Sequence, residues 1–227
     1  GFYDLRLVEV QKRQIELAKQ YRMYGFCFHY YWFTGGKRLL ERPLNQYLEH
    51  KELDFPFCIC WANENWTRRW DGSEHEILME QRYAPEDDLE IIKDMEPLLR
   101  DSRYIKVDGR PLIIVYRVTL LPDPRRTAET WRNYCRDNGL GDPLLVAAQS
   151  FGIGDPRPYG FDAAVEFPPH GVGLREIGDL DLYNPHHTGK VYDYRHVAKT
   201  AKNFEWPDYK LFKGIIPSWD NEARRPG

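Results

Sequence analysis

Long apolar runs are missing from this 227-residue chain. None approaches the ~20 residues that a membrane span needs, and the first residues carry no basic-then-apolar export signal. A soluble, cytoplasmic protein without a membrane span is the expectation. An excess of charge is missing too: 32 basic side chains stand against 35 acidic ones, a net charge of -3 spread along the sequence. That balance leaves no electrostatic footprint for nucleic acid or an anionic membrane. Cysteine is scarce, with four residues (Cys27, Cys58, Cys60 and Cys135) and no C-x-x-C pair. Three lie in apolar runs, where a reduced thiol packs as a small hydrophobe.

Several signatures of common chemistries are absent as well. No G-x-G-x-x-G or Walker sequence follows an apolar run, which argues against a nucleotide fold. Neither H-E-x-x-H nor H-x-H with a partnered carboxylate occurs; His29 sits within an apolar segment and His186-His187 in a polar loop, so no metal is expected. There is no G-x-S-x-G elbow, and Ser150 and Ser218 lack evident His and Asp partners, which sets a serine hydrolase aside.

Aromatics are abundant instead: 15% of the chain, as 15 Tyr, 11 Phe and 7 Trp. Many cluster with Asn, Asp, Glu and Arg. Flat rings beside hydrogen-bonding groups suit sugars, whose C–H faces stack on aromatics while their hydroxyls need donors and acceptors around the rim. The plain alternative for any one ring is that it fills the core.

Apolar periodicity alternates between two types along the chain. Helical spacing is read over residues 8–23, 43–50, 85–100, 124–138 and 191–203, with Pro43 at a first helical position and acidic residues opening 85–100. Buried-strand patterns are read over 24–33, 55–61, 111–117, 144–150, 161–167 and 211–219, with turns at 34–36 and Asp108-Gly109. Residues 152–190, rich in Gly, Pro and His, read as long loops around one short strand. Six strands separated by helices imply a parallel sheet with helices outside it. Four strands end in polar or aromatic clusters (HYYWF, WANENW, VEFPPH and SWDNEARR), which favours a (β/α)8 barrel, with its chemistry at the carboxyl ends, over an open sheet with one switch point. A closed barrel needs eight strands, so a single barrel domain over 1–227 is expected to lack about one strand at each end.

The sharpest local feature is WANENWTRRWDG, residues 61–72. It sets Asn63, Glu64, Asn65, Arg68, Arg69 and Asp71 among Trp61, Trp66 and Trp70. A carboxylate walled by indoles serves proton transfer or holds sugar hydroxyls; a structural pairing of Glu64 with Arg68 or Arg69 is the alternative. Glu166, in VEFPPH, and Asp220 with Glu222, in SWDNEARRPG, are further carboxylates near strand ends, so Glu64, Glu166 and Asp220 are the catalytic candidates. Two carboxylates ~5 Å apart would hydrolyse a glycosidic bond with retention, and at ~6.5–9.5 Å with inversion.

The strings GFYDLR (1–6), YGFCFHYYWFTGGKRLLERPL (24–44), FPFCICWANENWTRRWDG (55–72) and IIPSWDNEARRPG (215–227) together resemble the WbsX-like family of bacterial surface-polysaccharide loci. That family is related to the endo-α-mannosidases of glycoside hydrolase family 99. The resemblance covers essentially the whole chain. It implies a (β/α)8 barrel acting on a glycan with no metal or organic cofactor. The mannosidases keep their catalytic carboxylates in an Asn-Glu-Trp-x-Glu-Gly motif that does not occur here, so the proton-transfer pair is expected beyond Gly227. What matches is the substrate-binding part: Trp32, Glu64, Tyr116, Arg117, and Asp220 to Arg225.

On this reading Glu64 binds or orients a hydroxyl, and Trp32, Trp61 and Trp66 form stacking walls. Asp220 and Arg225 grip the neighbouring unit, with Asn63, Asn65, Arg69, Trp219 and Asn221 beside them. Three activities stay open. They are hydrolysis of an internal α-linked bond, glycosyl transfer in O-antigen or capsule synthesis with Arg68, Arg69, Arg224 and Arg225 holding a diphosphate, and non-catalytic glycan binding.

Overall fold

The computed structural model describes residues 3–68, 73–178, 180–181 and 189–220. In chain order the elements are α1 (Val8–Gln20), β1 (Phe26–Phe33), β2 (Lys37–Leu39), α2 (Arg42–Glu49), β3 (Phe57–Trp61), β4 (Trp66–Arg68) and β5 (Ser73–Met79). There follow α3 (Asp87–Leu99), β6 (Lys106–Val107), β7 (Arg110–Val115), α4 (Pro124–Asp137), β8 (Leu144–Gln149), β9 (Ala163–Glu166), α5 (Tyr194–Lys202) and β10 (Lys210–Phe212). Local chemistry explains the boundaries. Asp123 caps α4 by accepting from Arg126 N at 3.0 Å, with Pro124 in the first turn, and Asp193 caps α5 through Arg195 N. The two-residue turn Asp108-Gly109 has φ of 52° and 78°, the paired left-handed conformation that closes the β6–β7 hairpin.

The chain is a mixed α/β structure around a mostly parallel sheet. β1, β3, β7, β8, β9 and β10 lie side by side in chain order, every pair parallel, while β2 pairs antiparallel with β1. A doubly wound sheet reverses its strand order at a switch point; this one does not. The sheet is strongly curled. The His29 ring on β1 and the Phe167 ring after β9 are 6.2 Å apart, although four flat strand spacings of about 4.8 Å would separate them by about 19 Å. Among the described residues it is open, with β10 and β2 at its edges, so the expected eight-strand closed barrel is not formed there.

The six strands read from the sequence are these six parallel strands. Two differences have physical causes. The last strand covers Lys210–Phe212 rather than 211–219, because only those residues have β9 to pair with. The antiparallel hairpin of β4 and β5 falls where the sequence reads as a decorated strand end, since the three residues Trp66-Thr67-Arg68 are too few to show an apolar period.

Register sorts the strand residues onto two faces. Tyr30 and Trp32 of β1 share a face with Phe57, Ile59 and Trp61 of β3 and Ile113 and Val115 of β7, and all are at most 2% exposed beneath the helices. Trp131 of α4 packs on Trp61 with ring centroids 5.9 Å apart and donates to Asp88 O at 2.8 Å. The other, concave face carries Cys27, His29 and Tyr31, then Cys58 and Cys60, then Ile114. Cys58, Cys60 and Cys135 are buried, whereas Cys27, at the start of β1, is exposed, unlike the buried thiol expected of an apolar run. No helix among the described residues is long and apolar enough to cross a membrane.

Candidate functional site

The rim at the carboxyl ends of the parallel strands is built from the residues that follow β3, β7, β8 and β9. Its ionic centre is Glu64, whose Oε2 accepts from Arg117 Nη1 at 3.3 Å, with side chains 26% and 19% exposed. Arg117 is placed by Asn63, which is fully buried. Asn63 Oδ1 accepts from Arg117 N at 2.8 Å, and Nδ2 donates to Arg117 O at 2.9 Å and to the Tyr83 hydroxyl at 3.1 Å. The Tyr83 hydroxyl in turn donates to Asn63 O at 2.8 Å. The amide side chain thus extends the β3–β7 ladder by one rung where the strands part. Asn63→Ala would orphan both buried peptide groups of Arg117 and is expected to cost about 3 kcal/mol; a denaturant midpoint shift at constant m-value measures it.

Aromatic pairs cluster at the same strand ends. Tyr31 stacks on the half-buried Trp66 at 5.4 Å and 10°. Tyr116 packs on Phe167 at 5.1 Å and on Phe151 at 6.1 Å, and its hydroxyl lies 3.0 Å from His170 Nε2. Two imidazoles sit within reach of the Glu64 charge. His29 and His170 are both held below the usual histidine value of 6.5, chiefly by desolvation, helped at His170 by Arg117 and opposed at each by Glu64.

The folded chain therefore binds fewer protons than the unfolded chain between the lowered values and 6.5. Stability from these imidazoles is complete above 6.5 and is lost as pH falls through the folded values. Denaturant melts from pH 7.5 to about 5 should show this slope, and the H29N/H170N double variant should flatten it. Unaltered steepness in that variant would remove both histidines from the effect.

Several expected site residues lie elsewhere. Trp32 and Trp61, expected as stacking walls, are 1% and 2% exposed on the helix side and have no free face for a sugar. Trp61 Nε1 donates to Trp32 O at 3.1 Å, and Trp32 Nε1 is buried without a partner among the described residues. Glu166, a catalytic candidate, ties β9 to the chain after β10: it accepts from Lys213 Nζ at 2.5 Å and from Gly214 N at 2.8 Å. A Cβ on Gly214 would stand 2.7 Å from Pro168 Cδ, which is how closely that exit is packed. Asn65 is a buttress, accepting from Gln81 N at 2.7 Å and so anchoring the residue that follows β5 and Glu80.

Trp219 and Asp220 are exposed. Arg69, Trp70, Asp71, Asn221, Glu222, Arg224, Arg225 and His186-His187 lie outside the described residues. Glu64, Trp66, Tyr116 and Arg117 are on the rim; His29, Tyr31, Phe151, Phe167 and His170 are there too and were not among the expected site residues. Among the described residues no three metal-ligating side chains converge.

A curled parallel sheet with an aromatic, charged rim at its carboxyl ends places its candidate binding groups where parallel α/β folds carry their sites. The family described as Glycosyltransferase WbsX matches residues 1–227, and the chain belongs to it. Two curated relatives, from two strains of Xanthomonas campestris pv. campestris and each called uncharacterized protein WxcX, are 46% identical over 232 residues. Those alignments take in 100% of this chain and 33% of each relative, so the chain spans a third of their length. A solved structure titled glycoside hydrolase-like protein superimposes with a TM-score of 0.51 at 14% identity, over 74% of this chain and 52% of that one, a likeness of fold.

Proposed function

We propose that the chain is the sugar-recognising part of a (β/α)8-barrel enzyme of glycoside hydrolase family 99-like type. Segments outside 1–227 complete the barrel, and the substrate is an α-linked, mannose-like glycan or bacterial surface polysaccharide. The observation that carries this reading is the Glu64–Arg117 pair at the carboxyl strand ends, in a region that also holds the ring pairs Tyr31–Trp66 and Tyr116–Phe167. A carboxylate and a guanidinium supply acceptors and donors for adjacent hydroxyls, and the rings supply apolar faces.

In this reading Glu64, held by Arg117, orients a hydroxyl rather than transferring the proton. Glu166 is committed to Lys213 and Gly214, and the carboxylates that cleave an internal glycosidic bond come from outside residues 1–227. Glycosyl transfer is the second reading, favoured by the description of the family. Incubating the full-length protein with α-mannan, and separately with activated sugar donors and acceptor polysaccharide, distinguishes them. Shortened mannan is the expected product; elongated acceptor alone would replace hydrolysis by transfer, and glycan binding without product would leave a recognition module.

A further inference from the structure

Beyond the Glu64–Arg117 pair, the rim holds one ring in a conformation that phenylalanine rarely adopts. Phe151 follows β8 and has φ of 50°, in the left-handed region, with Gly152 at 86° completing the turn. Among the described residues the other non-glycine positions with positive φ are Arg22, Leu40 and Asp108, and Phe151 is the aromatic one. Such a conformation persists where the surroundings over-determine it, and it is enriched at functional sites.

The surroundings here are specific. The Arg117 guanidinium carbon stands 3.7 Å from the Phe151 ring centroid, the His170 ring lies at 4.6 Å and the Tyr116 ring at 6.1 Å. Three groups thus grip the ring, yet the residue remains 49% exposed. Scattered exposed apolar side chains are ordinary. An exposed ring gripped by a cation and two other rings, on a strained backbone beside the charged pair of the rim, is not a scattered one. The cation over one face of it belongs to the ion pair of the rim, which ties that ring to Glu64 and leaves the face away from Arg117 as the one a sugar would use.

We propose that Phe151, backed on one face by Arg117, is the platform on which a pyranose ring of the glycan stacks with its other face, with Glu64 meeting a hydroxyl at that sugar's edge. The assignment rests on the reading of this rim as a glycan site. It supplies the apolar floor that the buried Trp32 and Trp61 do not. Stacking of C–H groups on a flat ring asks for planarity, not merely for apolar area.

The test uses the full-length protein on an array of α-mannan oligosaccharides and bacterial surface-polysaccharide fragments, with the strongest ligand carried into calorimetric titration. Phe151→Leu should weaken that ligand about tenfold in a protein that is still folded at the titration temperature, while Phe151→Tyr should bind within about twofold of the unaltered protein. Equal weakening in both variants overturns the platform, because the flat ring would then not be what matters. Full affinity in Phe151→Leu, with affinity lost in Glu64→Gln, also overturns it and leaves the glycan-site reading standing. No ligand on the array for the unaltered protein overturns both.

Discussion

Replacing Arg103 with alanine should lower folding stability by about 3–5 kcal/mol, the cost of stranding a buried charge by removing its partner. Arg103 Nε and Nη2 each bond one oxygen of Asp101 at 2.8 Å, and the two side chains are 8% and 2% exposed. The same guanidinium donates to Tyr47 O at 2.7 Å, Leu53 O at 3.0 Å and His50 O at 3.1 Å. It therefore ties the end of α2, the loop before β3 and the turn after α3 at the amino end of the sheet, while its carbon lies 4.9 Å from the Tyr47 ring centroid.

Alanine would take one donor from each of three carbonyls, of which His50 O and Leu53 O keep a backbone donor, and would leave Asp101 with Lys51, at 2.6 Å, as its remaining charged partner. Lysine at 103 keeps the charge without the planar fork and should recover only part of the loss. A second signature follows from the acid. Burial raises the Asp101 value, but hydrogen bonds from Arg103 and Lys51 outweigh it and hold the carboxyl well below 3.8. Its contribution is present above the ordinary carboxylate value and lost as pH falls through the folded one, so acid sensitivity below pH 4 should be shallower in Arg103→Ala.

The second large effect concerns the rim. Glu64→Gln should reduce glycan affinity about 10- to 100-fold, the worth of a charge-assisted hydrogen bond converted to binding. The change keeps size and one acceptor but removes the charge that steadies Arg117, so the cation above Phe151 loses its anchor. One readout needs no ligand. Glu64 raises the values of both His29 and His170, so their imidazole proton resonances should titrate at lower pH in Glu64→Gln. A loss of affinity with unmoved histidines would mean that Glu64 acts somewhere other than between these groups.

Much of this architecture was legible beforehand, and the reason is periodicity. FPFCICW, PLIIVYR and LLVAAQS are strands because continuous apolar, β-prone runs bury both faces. Of the four decorated strand ends, HYYWF, WANENW and VEFPPH hold Tyr31, Glu64 with Trp66, and Phe167 with His170. Choosing among the aromatic residues is where sequence reading failed, and alternation explains the failure. In HYYWF the period of two puts His29 and Tyr31 on the concave face and Tyr30 and Trp32 under the helices. The largest ring was chosen over the correct parity. Trp61 is the last residue of β3 and lies in the core, whereas Glu64 comes three residues later, past the strand's end.

Phe151 and His170 carried weaker signals. Both lie in loops after short strands, where no period applies, and they meet Tyr116 and Arg117 only through the packing of successive strand ends. The decorated VEFPPH segment does point toward His170, but Glu166 drew the attention there. Its engagement with Lys213 and Gly214 depends on the pairing of β9 with β10, which composition cannot reveal.

A crystal structure of the full-length protein soaked with its strongest array ligand tests the account most directly. The prediction is a sugar ring lying on Phe151 with a hydroxyl within hydrogen-bond distance of the Glu64 carboxylate. A sugar bound instead at the amino ends of the strands, beside Arg103 and Asp101, or in the cavity lined by Arg175, Tyr192 and Tyr194, with the Glu64 rim vacant, would contradict it.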